Sequence, residues 1–207
     1  MDFADRIAEF ARACHRVGEY GLVRCSSGNM SQRLGEGYFA VSATKSWLGE
    51  ISEGQVAICK LSDGACVNGK KPTIEGAFHR GILNLREDVN VALHCQSPYA
   101  TVVACGAAER IDFNVIIEVP AYIGEPAVVD YFPPGSGELA EAVIEAMRGH
   151  EVAILRNHGQ VVVGRDFDDA LQKAVFFELA CRVLVQGKDV KALSAESVSY
   201  LTKLCRG

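Results

Sequence analysis

The stretch Glu151-Val-Ala-Ile-Leu-Arg-Asn-His-Gly-Gln-Val-Val-Val-Gly164 contains two apolar, β-rich runs, Glu151 to Arg156 and Gln160 to Gly164, joined at Asn157-His158-Gly159. A parallel crossover needs a dozen or more residues, so two strands this close in sequence pair antiparallel. The run that follows, Phe167 to Gln186, is apolar around most of its circumference and reads as a core helix.

Working outward, a third strand is expected at Val89 to Gln96, followed by a helix from Ser97 to about Ala107, with Ser97 as cap and Pro98 at its first position. Pro72 opens another helical pattern, in which Ile74, Phe78, Ile82 and Leu85 make one apolar stripe. Ser136 caps a helix running to Met147. The first third reads as an amphipathic helix over residues 3 to 22, a Gly-centred polar loop and a meander of strands near Met30 to Leu34, Tyr38 to Ser42 and Gln55 to Cys59. A short helix from Ser194 to Cys205 closes the chain. Helices alternate with strands whose connections are often too short for parallel crossovers. The expected fold is therefore a single α/β domain over residues 1–207, in three α/β/α layers, with a mixed, mostly antiparallel central sheet.

Composition bounds the function. With 207 residues, 49% hydrophobic and 23% charged, the chain can bury a core without a disulfide or a structural metal. A net charge of −5 and the lack of a basic run argue against a nucleic-acid partner. The eight cysteines are scattered, with no C-x-x-C pair, and read as reduced thiols. The N-terminal residues lack a signal-peptide pattern and no apolar stretch approaches bilayer length, so a cytoplasmic protein that spans no membrane is expected.

Of the five histidines, His94 ends an apolar strand and His158 sits in the strand–strand junction, two places where side chains can face a cleft. Residues 94 and 96 share a strand face, so His94 and Gln96 can address one ligand. Glu75 lies at a helix start, with His79 one turn further on as a pairing partner. Ser26-Ser27-Gly28-Asn29 can form an anion nest. Taken one by one, each of these also has a plain structural reading: capping, turn formation or a hydrogen-bonded strand end.

Together and in order, however, Ser27-Gly28-Asn29-Met-Ser31, Val41-Ser-Ala-Thr44, Lys71-Pro-Thr73-Ile-Glu75-x-x-x-His79, His94-x-Gln96-Ser-Pro-Tyr-Ala-Thr, Gly135-Ser-x-Glu-Leu-Ala and Asn157-His158-Gly159 resemble the class II aldolase/adducin family. The resemblance implies a homotetramer acting on a small sugar phosphate, with one divalent metal per subunit, zinc first, held at His94, Gln96 and His158. It implies Glu75 as the general acid/base, and Ser27, Gly28, Asn29, Thr44 and Thr73 around the phosphate. The reaction it implies is aldol cleavage to dihydroxyacetone phosphate and an aldehyde. Epimerisation, dehydration or decarboxylation on the same site, and a non-catalytic assembly role like that of the adducin head, are the alternatives.

The sequence departs from the family pattern in three places. Gln96 stands where a second strand-end histidine belongs, and a neutral amide oxygen is a weaker zinc donor than imidazole. Ile74 replaces a serine beside Thr73. The region that carries a catalytic tyrosine in the aldolases, contributed there by a neighbouring subunit, reads Ile116-Ile-Glu118-Val here, with Glu118 and Tyr122 as the nearest substitutes.

Overall fold

The computed structural model describes residues 3–206. Its strands are β1 (Gly28–Gly35), β2 (Tyr38–Ser42), β3 (Val56–Lys60), β4 (Val91–Cys95), β5 (Ala127–Val129), β6 (Val152–Leu155) and β7 (Gly159–Gly164). Its helices are α1 (Ala4–Glu19), α2 (Gly76–Leu85), α3 (Pro98–Ala104), α4 (Gly137–Ala146), α5 (Phe167–Gln186) and α6 (Ala195–Arg206). The strands form one open sheet in the order β3-β2-β1-β4-β7-β6-β5. Every pairing in it is antiparallel except that of β5 with β6.

The period-two rule of the strands sorts the core into two halves. Met30, Ala40, Ile58, Leu93, Ile154 and Val162 face α1, α3 and α5. Val41, Cys59, Ala92, Leu155 and Val161 face α2 and α4. The result is the three-layer α/β/α fold expected from the sequence, with the antiparallel pair β6–β7 and the core helix α5 placed as read. Ser136 caps α4 by accepting from the Leu139 N–H at 3.1 Å. No helix of the described residues is long and apolar enough to cross a membrane.

Four local expectations are corrected. The first helix ends at Glu19 rather than near residue 22, because Gly21 turns the chain at φ +71°. Pro72 does not begin a helix: residues 71–73 pair with the end of β2, through Thr44 N–H to the Lys71 carbonyl (3.0 Å) and Thr73 N–H to the Ser42 carbonyl (3.0 Å). Helix α2 therefore starts only at Gly76. Helix α3 stops at Ala104, and the Ser97 hydroxyl does not cap it; the Glu178 carboxylate of α5 accepts from the N–H groups of Tyr99 and Ala100 at 2.8 and 2.9 Å. Finally, the Pro/Gly-rich connection holds the three-residue strand β5, preceded by a π-helical turn at Val119–Ile123, elements too short to leave a periodic signature.

At the end of β7 remote from Gly159, Lys173 is only 6% exposed. It donates to Glu151 at 2.6 Å, to Asp169 at 3.0 Å and to the Val163 carbonyl at 3.1 Å. Arg86 joins the same network through Glu151 at 2.8 Å. Removing one member of such a buried set strands the opposite charge. Lys173→Met is expected to cost about 3 kcal/mol, which for a chain of this size lowers Tm by roughly 6–12 °C. Thermal unfolding followed by circular dichroism checks this, and an unchanged Tm would show that the network contributes no net stability.

Candidate active site

Three central strands bring their ends together on one edge of the sheet. Asn29 at the start of β1 lies opposite His94 near the end of β4, and Cys95 lies opposite Gln160 at the start of β7. Two glycines permit this convergence. A Cβ on Gly28, whose φ is +142°, would sit 2.9 Å from the His94 carbonyl oxygen, and one on Gly159 would sit 2.6 Å from the Cys95 carbonyl oxygen. The turn between β6 and β7 is completed by Asn157 in the left-handed region, φ +55°, which asparagine tolerates better than most residues.

Onto this edge the turn before α2 delivers Glu75, which is 5% exposed. Its Oε2 lies 3.6 Å from His94 Nε2 and its Oε1 lies 3.8 Å from His158 Nε2. The two imidazoles meet edge to face with centroids 4.7 Å apart. One ligating atom from each of Glu75, His94 and His158 falls within a 4.8 Å group. Ligands on a tetrahedral zinc with bonds near 2.1 Å are about 3.4 Å apart, so a small contraction of this group suits such an ion.

Hydrogen bonds fix the chemistry of each donor. His94 Nδ1 lies 2.9 Å from the Gln160 carbonyl, which can only accept, so Nδ1 carries a proton and Nε2 is the ring atom turned to Glu75. Burial, followed by the repulsion of His94 and partly offset by Glu75, lowers the His158 pKa to about 4, so the His158 ring is neutral at pH 7. The amide of Asn29 donates to Glu75 Oε2 at 2.7 Å. Glu75 Oε1 is left buried with no hydrogen-bond partner. A carboxylate oxygen held out of water beside two imidazoles is a donor set that fits a cation.

The residues read from the sequence are placed as follows. Glu75, His94 and His158 come together. Gln96 lies one residue past β4 with its Cγ against Gly159, where a Cβ would approach to 3.1 Å. Thr44 lies opposite Lys71 and Thr73 opposite Ser42, on either side of the Ala43–Pro72 bridge. Ser27 closes a turn by accepting from Arg24 N–H at 2.9 Å, and Gly28 follows it into β1. Asn29 has both ends of its amide engaged, Nδ2 by Glu75 and Oδ1 by His79. His79 does not pair with Glu75 but with Asn29, at 2.5 Å, and with Ser31, at 2.8 Å. Tyr122 stacks on Phe176 of α5 at 5.6 Å, across the sheet from Glu75.

Sequence reasoning missed Ser31 and the network role of His79. A signal existed: Asn29 and Ser31 are polar residues two apart on one face of a strand, and residue 79 sits one helical turn beyond Glu75.

Residues 8–185 match the family model described as the Class II Aldolase and Adducin N-terminal domain, and the chain belongs to this family. It is 29% identical over 190 residues to the 3-oxo-tetronate 4-phosphate decarboxylase of Haemophilus influenzae, covering 88% of this chain and 89% of that protein. It is 34% identical over 175 residues to the L-fuculose phosphate aldolase of Methanococcus maripaludis strain C7, covering 83% and 92%. Among solved structures, YgbL from Klebsiella pneumoniae shares the fold with a TM-score of 0.87 at 24% identity, over 97% of this chain and 99% of that one.

Burial, aided by repulsion from His94, lowers the His79 pKa from 6.5 to about 3. Below pH 6.5 the unfolded chain takes up a proton that the folded chain refuses until about pH 3, so this group's contribution to stability is present above 6.5 and lost as pH falls through that window. The expected slope in metal-free protein is up to about 1.4 kcal/mol per pH unit. Denaturant midpoints at pH 7, 6 and 5 check it, and the slope is expected to be shallower in His79→Gln.

Proposed function

We propose that the chain is a divalent-metal-dependent carbon–carbon lyase acting on a small sugar phosphate. The observation that carries this reading is the buried Glu75 carboxylate, which faces His94 through Oε2 and His158 through its unpartnered Oε1. Zinc is the ion that best suits two imidazoles and a carboxylate at this spacing, and Gln96, one residue past β4, would add a neutral oxygen donor. When bound, such an ion supplies Lewis-acid polarisation of the substrate carbonyl.

The protein's own groups do the remaining work. Breaking the bond between the α and β carbons leaves an electron pair on the carbon next to the carbonyl, and a proton must reach that carbon. Glu75 is the acid placed to deliver it, from the oxygen that no other group of the chain holds. Ser27, Gly28, Thr44 and Thr73 line the adjoining edge and would hold the phosphate with hydroxyl and backbone N–H donors. Among the described residues the eight cysteines are free, which suits a cytoplasmic enzyme. The homotetramer implied by the family would cover exposed apolar side chains such as Val102, Ile117 and Leu179.

Aldol cleavage and decarboxylation converge on the same three-carbon fragment. In the first, the β-hydroxyl gives up its proton and leaves as an aldehyde. In the second, a 3-oxo acid phosphate loses its carboxylate as carbon dioxide and water supplies the proton. Protonation of the remaining fragment yields dihydroxyacetone phosphate in both. Aldol cleavage has the support of the 34% identity to an L-fuculose phosphate aldolase. Decarboxylation has the support of the 29% identity to a 3-oxo-tetronate 4-phosphate decarboxylase, and carbon dioxide needs no acid–base partner as it leaves.

NMR analysis of products from ketose 1-phosphates and 3-oxo acid phosphates separates the two, since an aldehyde marks one and carbon dioxide the other. Formation of an epimer, or no product at all, would overturn the lyase reading. Chelation is expected to abolish turnover and added zinc to restore it. His94→Ala and His158→Ala are expected to lose turnover together with bound metal, and Glu75→Gln to lose 10²–10⁴-fold, roughly the contribution of a general acid; Glu75→Gln retaining wild-type kcat would remove the assigned role.

A further inference from the structure

A line of four side chains runs from the floor of the site to Glu75. Asn29 Nδ2 donates to Glu75 Oε2 at 2.7 Å, so the carbonyl end of the same amide, Oδ1, is the atom that meets His79 Nε2 at 2.5 Å. An amide oxygen only accepts, so His79 carries its proton on Nε2. Its Nδ1 is then the acceptor for the Ser31 hydroxyl at 2.8 Å. The ring is fully buried and neutral, stacked at 4.6 Å on Phe78, so its tautomer is set by these two neighbours and not by solvent. Every donor in the line points the same way: Ser31 to His79, His79 to Asn29, Asn29 to Glu75.

The line ends on one carboxylate oxygen alone. Oε2 is tied, and Oε1 is free and turned to His158. Without the His79 N–H, the Asn29 amide would lose the bond that prevents it from flipping, and a flipped amide would present its carbonyl oxygen to a carboxylate. We propose that His79 is a positioning residue: by fixing the orientation of the Asn29 amide it holds Glu75 with Oε1 presented to the cluster, where it ligates a divalent cation and exchanges a proton with substrate. The proposal rests on the lyase reading of the same site and gives Asn29 a role toward Glu75.

The test uses the full-length chain, stripped of metal and titrated with Co²⁺ alone, alongside steady-state kinetics on whichever sugar phosphate it turns over. His79→Gln keeps an N–H donor near the Nε2 position, and His79→Leu removes it. Expected are a Co²⁺ affinity lowered about 10-fold in His79→Leu and changed less than about threefold in His79→Gln, the range typical of groups that orient a metal's ligands. The kcat of His79→Leu is expected to fall roughly 10–100-fold while KM moves less than about threefold, with His79→Gln restoring it.

Because His79 acts through Glu75, His79→Leu added to Glu75→Gln is expected to weaken Co²⁺ binding no further. Equal weakening in both backgrounds, or full affinity and kcat in a folded His79→Leu, would overturn the proposal. If His79→Leu fails to fold, the choice falls to Asn29→Leu, for which the same non-additivity with Glu75→Gln is expected and additive weakening would overturn it. A wild-type chain that binds no Co²⁺ and cleaves no sugar phosphate would instead overturn the lyase reading, and the proposal with it.

Discussion

Keeping a carboxylate out of water is the constraint around which this molecule is arranged. Glu75 is 5% exposed, and an ionised group so placed must find charge or hydrogen bonds within the protein. The chain supplies one amide donor and two imidazoles, leaving one oxygen open. Polar residues that would be costly elsewhere in the core, Ser31, His79 and Asn29, are satisfied because they bond one another in sequence, ending at this carboxylate. The site and its support form one polar island in an apolar layer.

A second network, on the other side of the sheet, secures the histidine. Glu178 of α5 accepts from the Ser97 hydroxyl at 2.6 Å, and Ser97 accepts from the Gln160 side chain at 2.8 Å. Gln160 in turn holds His94 through its own backbone carbonyl. The same Glu178 terminates α3, taking the place of a helix cap. One side chain of the long core helix therefore braces both the start of α3 and the strand from which His94 is oriented, while β1 and α2 orient Glu75 from the opposite face. Because β1, β4 and β7 are adjacent in the centre of the sheet, both networks act on a rigid part of the protein instead of on loops.

Relatives of this chain carry different reaction names, and the architecture accounts for that breadth. The framework fixes a pair of imidazoles and a carboxylate, the donor set on which the proposed lyase chemistry rests. The chain departs from the family pattern at Gln96, at Ile74, which is 59% exposed, and in the region of Tyr122, which packs on Phe176.

The local pattern of residues was enough to determine the three-layer fold, the antiparallel β6–β7 pair and the core helix α5, because periods of 2 and 3.6 report which face of an element is buried. The order of short motifs was likewise enough to single out Glu75, His94 and His158. Tertiary structure alone decided which of these groups meet and which of their atoms are free. Residues 29, 75, 94 and 158 come from four separate elements, and nothing in their spacing says that Asn29 spends its amide on Glu75 or that His79 bonds Asn29 instead of the glutamate one turn before it. Pro72, which reads as a helix start, was drawn into an extended pairing with the end of β2, and that displacement is what swings Glu75 over the strand ends. The reason is physical: periodicity is a property of neighbours in sequence, whereas hydrogen-bond direction and the satisfaction of a buried charge are settled only when distant segments compete for the same few donors.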